Sequence, residues 1–235
     1  MQLSKRMQMI ADMVKPADCI ADIGTDHGYI PIWLAENEIT DRVIAADVKK
    51  GPLSRAQKHV TEHGLQDRIQ LRLGDGLTVL SPGEADCIII AGMGGLLMIQ
   101  ILSDSPEIVA QTDEMILSPQ SDIDAVRRYL HHIGFQIESE DMTEEDGKYY
   151  TVMRCRHGKD IIYTPEDYLY GRKLIEVCHP VLCSYLGHKM QKSQEIIRQL
   201  AGKNTEKSKK RIEELKQETT LISAAILRMK GACLQ

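Results

Sequence analysis

Residues 21–37 read ADIGTDHGYIPIWLAEN, a short apolar run, a loop with two glycines and then a helical pattern. A dinucleotide-binding loop at such a junction reads G-x-G-x-x-G. This loop reads D-x-G-x-D-x-G, with Asp26 where a pyrophosphate loop would carry a glycine. Because Asp22 and Asp26 make the loop acidic, it disfavours a pyrophosphate and favours a ligand that carries an ammonium or sulfonium group.

The segments around this loop predict an α/β fold. Nearly continuous apolar runs, expected for strands covered on both faces, lie at 19–23, 42–47, 69–73, 86–91 and 114–118. Helical patterns lie at 4–14, 28–37, 51–64, 94–103 and 122–133. Strands that alternate with helices of this length indicate a parallel, doubly wound sheet.

The alternation ends with two strand-like runs at 135–142 and 148–155. Asp146-Gly147 between them is a hairpin signal, within a loop that we expect to be longer than two residues. The predicted fold is therefore a Rossmann-like seven-stranded sheet closed by an antiparallel hairpin, which is not how NAD-binding domains normally end.

The composition changes again after residue 160. Residues 168–177 predict one short helix that ends near Pro180. Two apolar seams of coiled-coil spacing follow, at Leu186, Met190, Ser193, Ile197 and Leu200, and at Ile212, Leu215, Thr219, Ile222, Ile226 and Met229. A turn at 201–204 separates them. We expect a catalytic domain over 1–160 and an α-helical coiled-coil hairpin over 161–235.

Charge divides at nearly the same place. Residues 1–159 hold 16 Lys+Arg and 25 Asp+Glu, a net charge of −9, whereas residues 160–235 hold 13 and 9, a net charge of +4. Five cations, Lys203, Lys207, Lys209, Lys210 and Arg211, cluster at the predicted tip of the hairpin. This cluster is either a grip for a polyanion or a solvated helical surface.

Other features bound the class of protein. No apolar stretch is long enough to span a membrane, and the N-terminus lacks a signal-peptide core, so a cytoplasmic protein is expected. None of the six cysteines forms a C-x-x-C pair, so no metal site is predicted. Cys19, Cys87 and Cys155 lie in apolar runs, which favours buried, reduced thiols.

The loops after the first four strands form a consistent set. Asp47 ends the second strand, where a carboxylate can accept ribose hydroxyls. Asp75 follows the third strand and is a candidate acceptor for an adenine amine, and residues 91–95, AGMGG, follow the fourth. A nucleoside with a cationic amino acid, S-adenosylmethionine, fits all four loops. The predicted cofactor-binding residues are Asp22, Gly24, Thr25, Asp26, Gly28, Asp47, Val48, Asp75, Gly76, Gly92 and Met93.

The order of these motifs and the closing hairpin resemble the class I S-adenosylmethionine-dependent methyltransferases. More narrowly, the segments LSKRMQMIADMV, ADIGTDHGYIPIWL, AGMGG and LSPQSD resemble the bacterial tRNA (adenine-N1)-methyltransferases that act at position 22. The resemblance covers essentially the whole chain. It implies transfer of a methyl group to adenine N1, tRNA as the partner and a helical domain after the catalytic one.

The residues also suggest which groups do the chemistry. Many amino-group methyltransferases carry an N/D-P-P-Y/F/W tetrapeptide after the fourth strand, and AGMGG offers no such acceptor, which favours a ring nitrogen over an amine. Asp26 is the leading candidate to stabilise the charge that the purine gains, and His27 to contact the base or relay a proton. Tyr29 is a candidate stacking partner, whereas Trp33 has core spacing. If the first helix covers the cleft, Lys5 and Arg6 are candidate phosphate contacts, but solvated charges are the simpler interpretation, more so for Lys5 than for Arg6.

Three alternatives remain open at this point. The first is a methyltransferase of another RNA, a small molecule or a protein, with the helical hairpin used for dimerisation, although a monomer is favoured. The second is an RNA-binding protein that has lost turnover, which the intact acidic residues disfavour. The third, a nicotinamide-dependent oxidoreductase, is disfavoured by the missing glycine and the closing hairpin.

Overall fold

The computed structural model describes residues 1–203 and 205–232, and the chain forms two compact units, Met1–Asp160 and Ile161–Gln235. The strands of the N-terminal unit are β1 (Ile20–Ile23), β2 (Val43–Asp47), β3 (Ile69–Leu73), β4 (Cys87–Ala91), β5 (Glu114–Ser118), β6 (Phe135–Glu145) and β7 (Lys148–His157). Its helices are α1 (Lys5–Met13), α2 (Tyr29–Glu36), α3 (Lys50–Glu62), α4 (Gly95–Ser103), α5 (Pro106–Gln111) and α6 (Ile123–His132).

The seven strands form one mixed sheet in the order β3-β2-β1-β4-β5-β7-β6. The first five run parallel, and β7 pairs antiparallel with both β5 and β6. The strand order reverses between β1 and β4, and ligands of such sheets bind outside the carboxyl ends of the strands at this switch point. The predicted Rossmann-like seven-stranded sheet with its antiparallel closure is confirmed.

The apolar runs form strands because helices cover both faces of the sheet. One core cluster joins Ile20 and Ile89 of the sheet to Ile10 of α1 and Leu34 of α2, and Trp33 packs against it, as its spacing predicted. Each of these four core side chains is almost completely buried. The core therefore fixes the carboxyl ends of β1 and β4 side by side, where the two glycine loops follow.

The closing hairpin is tighter than expected. β6 continues to Glu145 and β7 begins at Lys148, so the loop has two residues and not the longer length predicted from the sequence. Asp146 and Gly147 both have positive φ, 51° and 71°, as a type I′ turn requires. Helix α5 was not predicted.

The described residues of the C-terminal unit form four helices, α7 (Pro165–Tyr170), α8 (Arg172–Glu176), α9 (Pro180–Ala201) and α10 (Glu206–Ala232). The single short helix predicted before Pro180 is wrong, because Gly171 at φ 89° divides it into α7 and α8. Pro180 begins α9, where its missing N–H has no helical partner to lose. Of the turn predicted at 201–204, Asn204 lies outside the described residues.

Inside this unit, an ion pair ties the last helix to the first. Arg228 Nη1 lies 2.7 Å from Oδ1 of Asp167, whose side chain is fully buried.

Among the cysteines, Cys19, Cys87 and Cys155 are buried free thiols, as expected. Burial raises the pKa of the Cys155 thiol, so this group is an inert part of the core. Cys183 is exposed and free, and Cys233 lies outside the described residues.

Candidate active site

A cleft of about 570 Å³ opens at the switch point of the sheet. The sequence-predicted residues that line it are Asp22, Gly24, Thr25, Asp26, His27, Tyr29, Asp47, Val48, Gly92 and Met93, together with Arg6. It therefore brings together the loops after β1, β2 and β4. A cavity of this volume lies within the range of ordinary small-molecule sites.

Asp22 is the most perturbed group of the cleft. It lies in β1, is 4% exposed and is flanked in the sheet by Ala45 and Ile89. Burial raises the pKa of Asp22 to about 6, the neighbouring Thr25 hydroxyl opposes the rise, and the nearby charge of Asp47 adds to it. A cation bound in the cleft would stabilise the ionised carboxylate and so offset both its loss of hydration and its repulsion by Asp47.

The loop after β1 uses left-handed backbone at three positions, Gly24 (φ 81°), Asp26 (φ 46°) and Gly28 (φ 74°). A Cβ at Gly24 would collide with the end of the Met93 side chain, so a glycine lets the two loops meet across the switch point. A Cβ at Gly28 would lie 3.2 Å from that of Ala56 in α3. Gly28 is thus a packing residue and does not line the cleft.

Asp26 and His27 are engaged with α3, a contact that sequence reasoning missed. Asp26 Oδ1 accepts a hydrogen bond from Arg55 Nη2 at 2.8 Å, and its Oδ2 lies 3.6 Å from His27 Nε2. The Asp26 side chain is 59% exposed. The rings of His27, Tyr29 and His59 stack on one another with centroids 5.2–5.7 Å apart.

The end of β2 presents a carboxylate beside an apolar side chain. Asp47 Oδ1 accepts the backbone N–H of Lys49 at 2.8 Å, which fixes the carboxylate. A carboxylate offers about four lone-pair sites, so Asp47 can accept further hydrogen bonds from a ligand. Val48 follows it and is 58% exposed, a large exposure for an apolar residue next to a cleft.

The loop after β4 is tied to the loop after β5. Gly92 N–H donates to Ser118 O at 3.2 Å, and Gln120 N–H donates to Met93 O at 2.8 Å. Both Ser118 and Gln120 line the cleft. They belong to the segment LSPQSD, which the sequence offered as a family resemblance but without a structural role.

Two predicted residues of the third loop lie elsewhere. Asp75 is exposed and Gly76 begins a short 3₁₀ turn, and neither lines the cleft. Tyr150 lines it and was missed, because its distance from the glycine loops in sequence gives no motif. The sequence signal that could have found it is its position just after the hairpin turn. Because β7 runs antiparallel to β5, the first residues of β7 lie at the carboxyl edge of the sheet, next to the cleft.

Within residues 1–203 and 205–232, no group of His, Cys, Asp or Glu side chains has an arrangement that would hold a metal ion. No helix in the described part of the chain has the length and apolar character needed to cross a bilayer.

The family comparisons agree with this fold and cleft. A family profile described as a methyltransferase domain matches residues 3–153. The sheet, its hairpin closure and the acidic cleft are thus those of a methyltransferase.

Particular relatives narrow this class. The tRNA (adenine(22)-N(1))-methyltransferase of Bacillus subtilis is 32% identical over 232 residues, 96% of this chain and 98% of that protein. The chain belongs to this family of tRNA methyltransferases. The crystal structure of B. subtilis TrmK has a TM-score of 0.85 at 32% identity, covering 96% of this chain and 99% of that one. Streptococcus pneumoniae Sp1610 in complex with S-adenosyl-L-methionine has a TM-score of 0.82 at 31% identity, covering 95% and 99%.

Proposed function

We propose that this protein transfers a methyl group from S-adenosylmethionine to N1 of an adenosine in tRNA, at position 22 as in its relatives. The observation that carries the proposal is the buried Asp22 carboxyl beside Asp47 in a cleft at the switch point. Two carboxylates suit a ligand with a cationic amino acid and a ribose, and do not suit a pyrophosphate. The B. subtilis relative supports the target, since its name specifies adenine N1 of tRNA.

The residues of the cleft suit the amino-acid, ribose and adenine parts of this cofactor. Asp22 would pair with its cationic amino-acid part, since a cation removes the cost of ionising a buried carboxyl. Asp47 would accept the ribose hydroxyls, with Val48 and Met93 as apolar walls for the adenine. Gly24, Thr25 and Gly92 would allow close backbone approach. Gly28 would hold the loop against α3, whereas Asp75 and Gly76 do not line the cleft, so the adenine amine that the sequence assigned to Asp75 has no acceptor from this loop.

The cofactor, when bound, supplies an electrophilic methyl group, which the N1 lone pair takes as the carbon–sulfur bond breaks. Adenine N1 has a free lone pair at neutral pH, so the protein has mainly to orient the base. The loop after β4 fits this task, since AGMGG carries no side-chain acceptor for an amine. An exocyclic amine would need such an acceptor.

Asp26 and His27 remain the candidates to act on the target base, Asp26 through its charge and His27 by contact or proton relay. The expected effect of Asp26 is smaller than the sequence suggested. The positive charge gained by the purine would be stabilised by Asp26. Because Arg55 already pairs with this carboxylate at 2.8 Å, its effect should be smaller than that of an unpaired carboxylate. Asp26→Asn should therefore lower the single-turnover rate modestly, more than it weakens cofactor binding. An equal loss in both would reduce Asp26 to a residue of the cofactor loop.

For the C-terminal unit, we propose an antiparallel coiled-coil hairpin that binds tRNA. Ser193 Oγ and Lys189 Nζ of α9 lie 3.0 and 2.9 Å from the Glu218 carboxylate of α10. The seam residues Leu186, Leu215 and Ile222 are buried. These contacts support the seams predicted from the sequence.

The basic tip offers the charge for a grip on RNA. Two of its cations are paired within α10, Lys209 with Glu206 and Arg211 with Glu214. Lys203, Lys207 and Lys210 are exposed. Cations at an exposed tip can reach the phosphates of a folded RNA.

Methylation of unmodified tRNA transcripts by the purified protein tests the proposed reaction. The product should carry one new methyl group, which mapping of the modified base should place at N1 of the target adenosine. Transcripts with guanosine at position 22 are the matched control and should stay unmethylated. Methylation of a protein or a small molecule in place of tRNA would favour the alternative in which the hairpin serves dimerisation.

A charge-neutralised pair of variants tests the RNA grip. Lys207→Gln/Lys210→Gln should weaken tRNA binding and reduce the slope of log K against log salt by roughly 0.9 for each phosphate that the variant no longer neutralises. Cofactor affinity should not change. Lys15→Gln/Lys58→Gln removes the same charge from exposed positions of the N-terminal unit and should have little effect. Equal losses in the two double variants would reject the tip as the grip.

A further inference from the structure

An arginine and a tyrosine meet at the part of the cleft formed by α1 and β7. Arg6 Cζ lies 5.5 Å from the centre of the Tyr150 ring, and both residues line the cleft. This is the distance of a cation–π contact. Neither residue belongs to the loops that carry the acidic cofactor candidates.

The sheet explains why Tyr150 lies there. β7 runs antiparallel to β5, with Leu117 opposite Met153, so the first residues of β7 lie beyond the carboxyl end of β5. Ser118 Oγ donates to Thr151 O at 2.9 Å and fixes this arrangement. Tyr150 is therefore held next to the loop after β5 by strand pairing, and its backbone is not part of a mobile loop.

Arg6 is held by a second contact as well. Its Nε lies 3.4 Å from Glu145 Oε2, at the last residue of β6. The carboxylate balances the charge of the guanidinium and fixes it over the tyrosine ring. The guanidinium and the core cluster against which Tyr150 packs together restrain its ring at the edge of the cleft.

We propose that Tyr150 is the stacking platform for the target adenine and that Arg6 positions its ring. The inference rests on the proposed function, because it assigns the substrate side of the same cleft. A base taken out of its RNA stack is commonly held against an aromatic side chain in the enzyme. With Asp22 and Asp47 assigned to the cofactor, the part of the cleft lined by Tyr150, Ser118 and Gln120 remains for the base.

Tyr29, the stacking candidate from the sequence, is less suited to this role. Its ring is already stacked with His27 at 5.2 Å and with His59 at 5.3 Å. A base would have to compete with these imidazoles. Tyr150 instead has the guanidinium of Arg6 as its ring partner, and guanidinium planes also stack on bases.

Variants of Tyr150 test the platform. Tyr150→Leu should lower kcat/KM for tRNA by about 5- to 150-fold, the range for loss of one base–aromatic stack. Tyr150→Phe should retain activity close to wild type, because stacking needs the ring and not the hydroxyl. Cofactor affinity by calorimetry should be the same in all three proteins. Tyr149→Leu is the matched control, since neighbouring residues of a strand face opposite sides of the sheet.

Three results would overturn the proposal. They are wild-type kinetics in Tyr150→Leu, a Phe variant as slow as the Leu variant, and an equal loss in Tyr149→Leu. Thermal melting of each variant separates a folding defect from a kinetic one. If Tyr150→Leu and Tyr150→Phe both melt like wild type, the higher activity of the Phe variant reflects its ring and not its stability. A wild-type protein that does not methylate tRNA would reject the proposed function itself.

The role of Arg6 has its own test. If Arg6 only positions the ring, Arg6→Gln should lower kcat/KM without changing the salt slope of tRNA binding. If it contacts a phosphate, as the sequence suggested, the slope should fall by about 1 and the positioning role is rejected. Arg6→Gln combined with Tyr150→Leu should be no slower than Tyr150→Leu alone, because the ring to be positioned is gone.

Discussion

Replacing Asp22 by asparagine should stabilise the cofactor-free protein and weaken its response to the cofactor. The carboxyl lies in β1 at 4% exposure, with a pKa raised to about 6 from 3.8. Ionisation is unfavourable because burial removes hydration, and the charge of Asp47 adds repulsion. Asparagine has nearly the same shape and carries no charge.

The raised pKa fixes the sign and size of the effect. The folded protein holds the Asp22 proton more tightly than the unfolded chain, so this one group costs no stability below about pH 4, and its cost grows as pH rises to about 6. Above that range the deficit is constant. The difference between a pKa of about 6 in the folded protein and 3.8 in the unfolded chain corresponds to about 3 kcal/mol. Asp22→Asn should therefore raise the free energy of unfolding by up to about 3 kcal/mol at pH 8 and by little at pH 4.

Urea unfolding at pH 4 and pH 8, without and with S-adenosylmethionine, measures this effect. With the cofactor present, the wild-type protein should gain more stability than the variant, since only a carboxylate pairs with the bound cation. Wild-type affinity should also fall about tenfold per pH unit below pH 6, because binding then requires loss of the proton. Asp67→Asn, at an exposed position, is the control and should change neither quantity. An Asp22→Asn variant that is destabilised equally at both pH values would refute this reasoning.

Four further substitutions probe the cleft and the sheet. Asp47→Ala should weaken cofactor binding by about 1–3 kcal/mol in calorimetry, and an unchanged affinity would remove Asp47 from the site. Gly24→Ala should cost about 1–2 kcal/mol in urea unfolding because of its φ of 81°. The added Cβ would also collide with Met93, so combining Gly24→Ala with Met93→Ala should recover only the steric part of the loss. A full recovery of stability would contradict a cost of the left-handed backbone. Glu140→Ala should cost about 3–5 kcal/mol, because it leaves Arg127 buried without the carboxylate 2.8 Å away. If Glu140→Ala lowered the free energy of unfolding by no more than the loss of an exposed ion pair does, the Arg127–Glu140 prediction would be wrong.

The fold was predictable because it depends on local patterns that the chain repeats. The apolar runs at 69–73 and 114–118 coincide with β3 and β5, and the other strands of the parallel part differ by one residue. The errors lie where one residue changes the backbone. Gly171 divides a helix that periodicity treats as continuous, and the Asp146-Gly147 turn lets β6 extend to Glu145.

The candidate site was predictable only in part, for a physical reason. Asp22, Gly24 and Asp47 lie at the carboxyl ends of two adjacent parallel strands, within or directly after them, so strand order alone brings them together. The partner of Asp26 could not be found this way, because Arg55 is placed by the packing of α3. Tyr150 and Arg6 are nearly the length of the N-terminal unit apart, and only the antiparallel return of β7 brings them into contact.

The charges of the cleft differ in what they can do for methyl transfer. Positive charge moves from the cofactor to the purine, so a group accelerates the reaction only if it interacts more strongly with the purine after the charge has moved. Asp22 and Asp47, assigned to the cofactor's ends, would act mainly on binding, and Asp26 is paired with Arg55. An aromatic face against the purine attracts it more strongly once it is cationic. With the charge of Arg6 balanced by Glu145, Tyr150 should therefore affect kcat more than KM, and a loss confined to KM would limit it to holding the base.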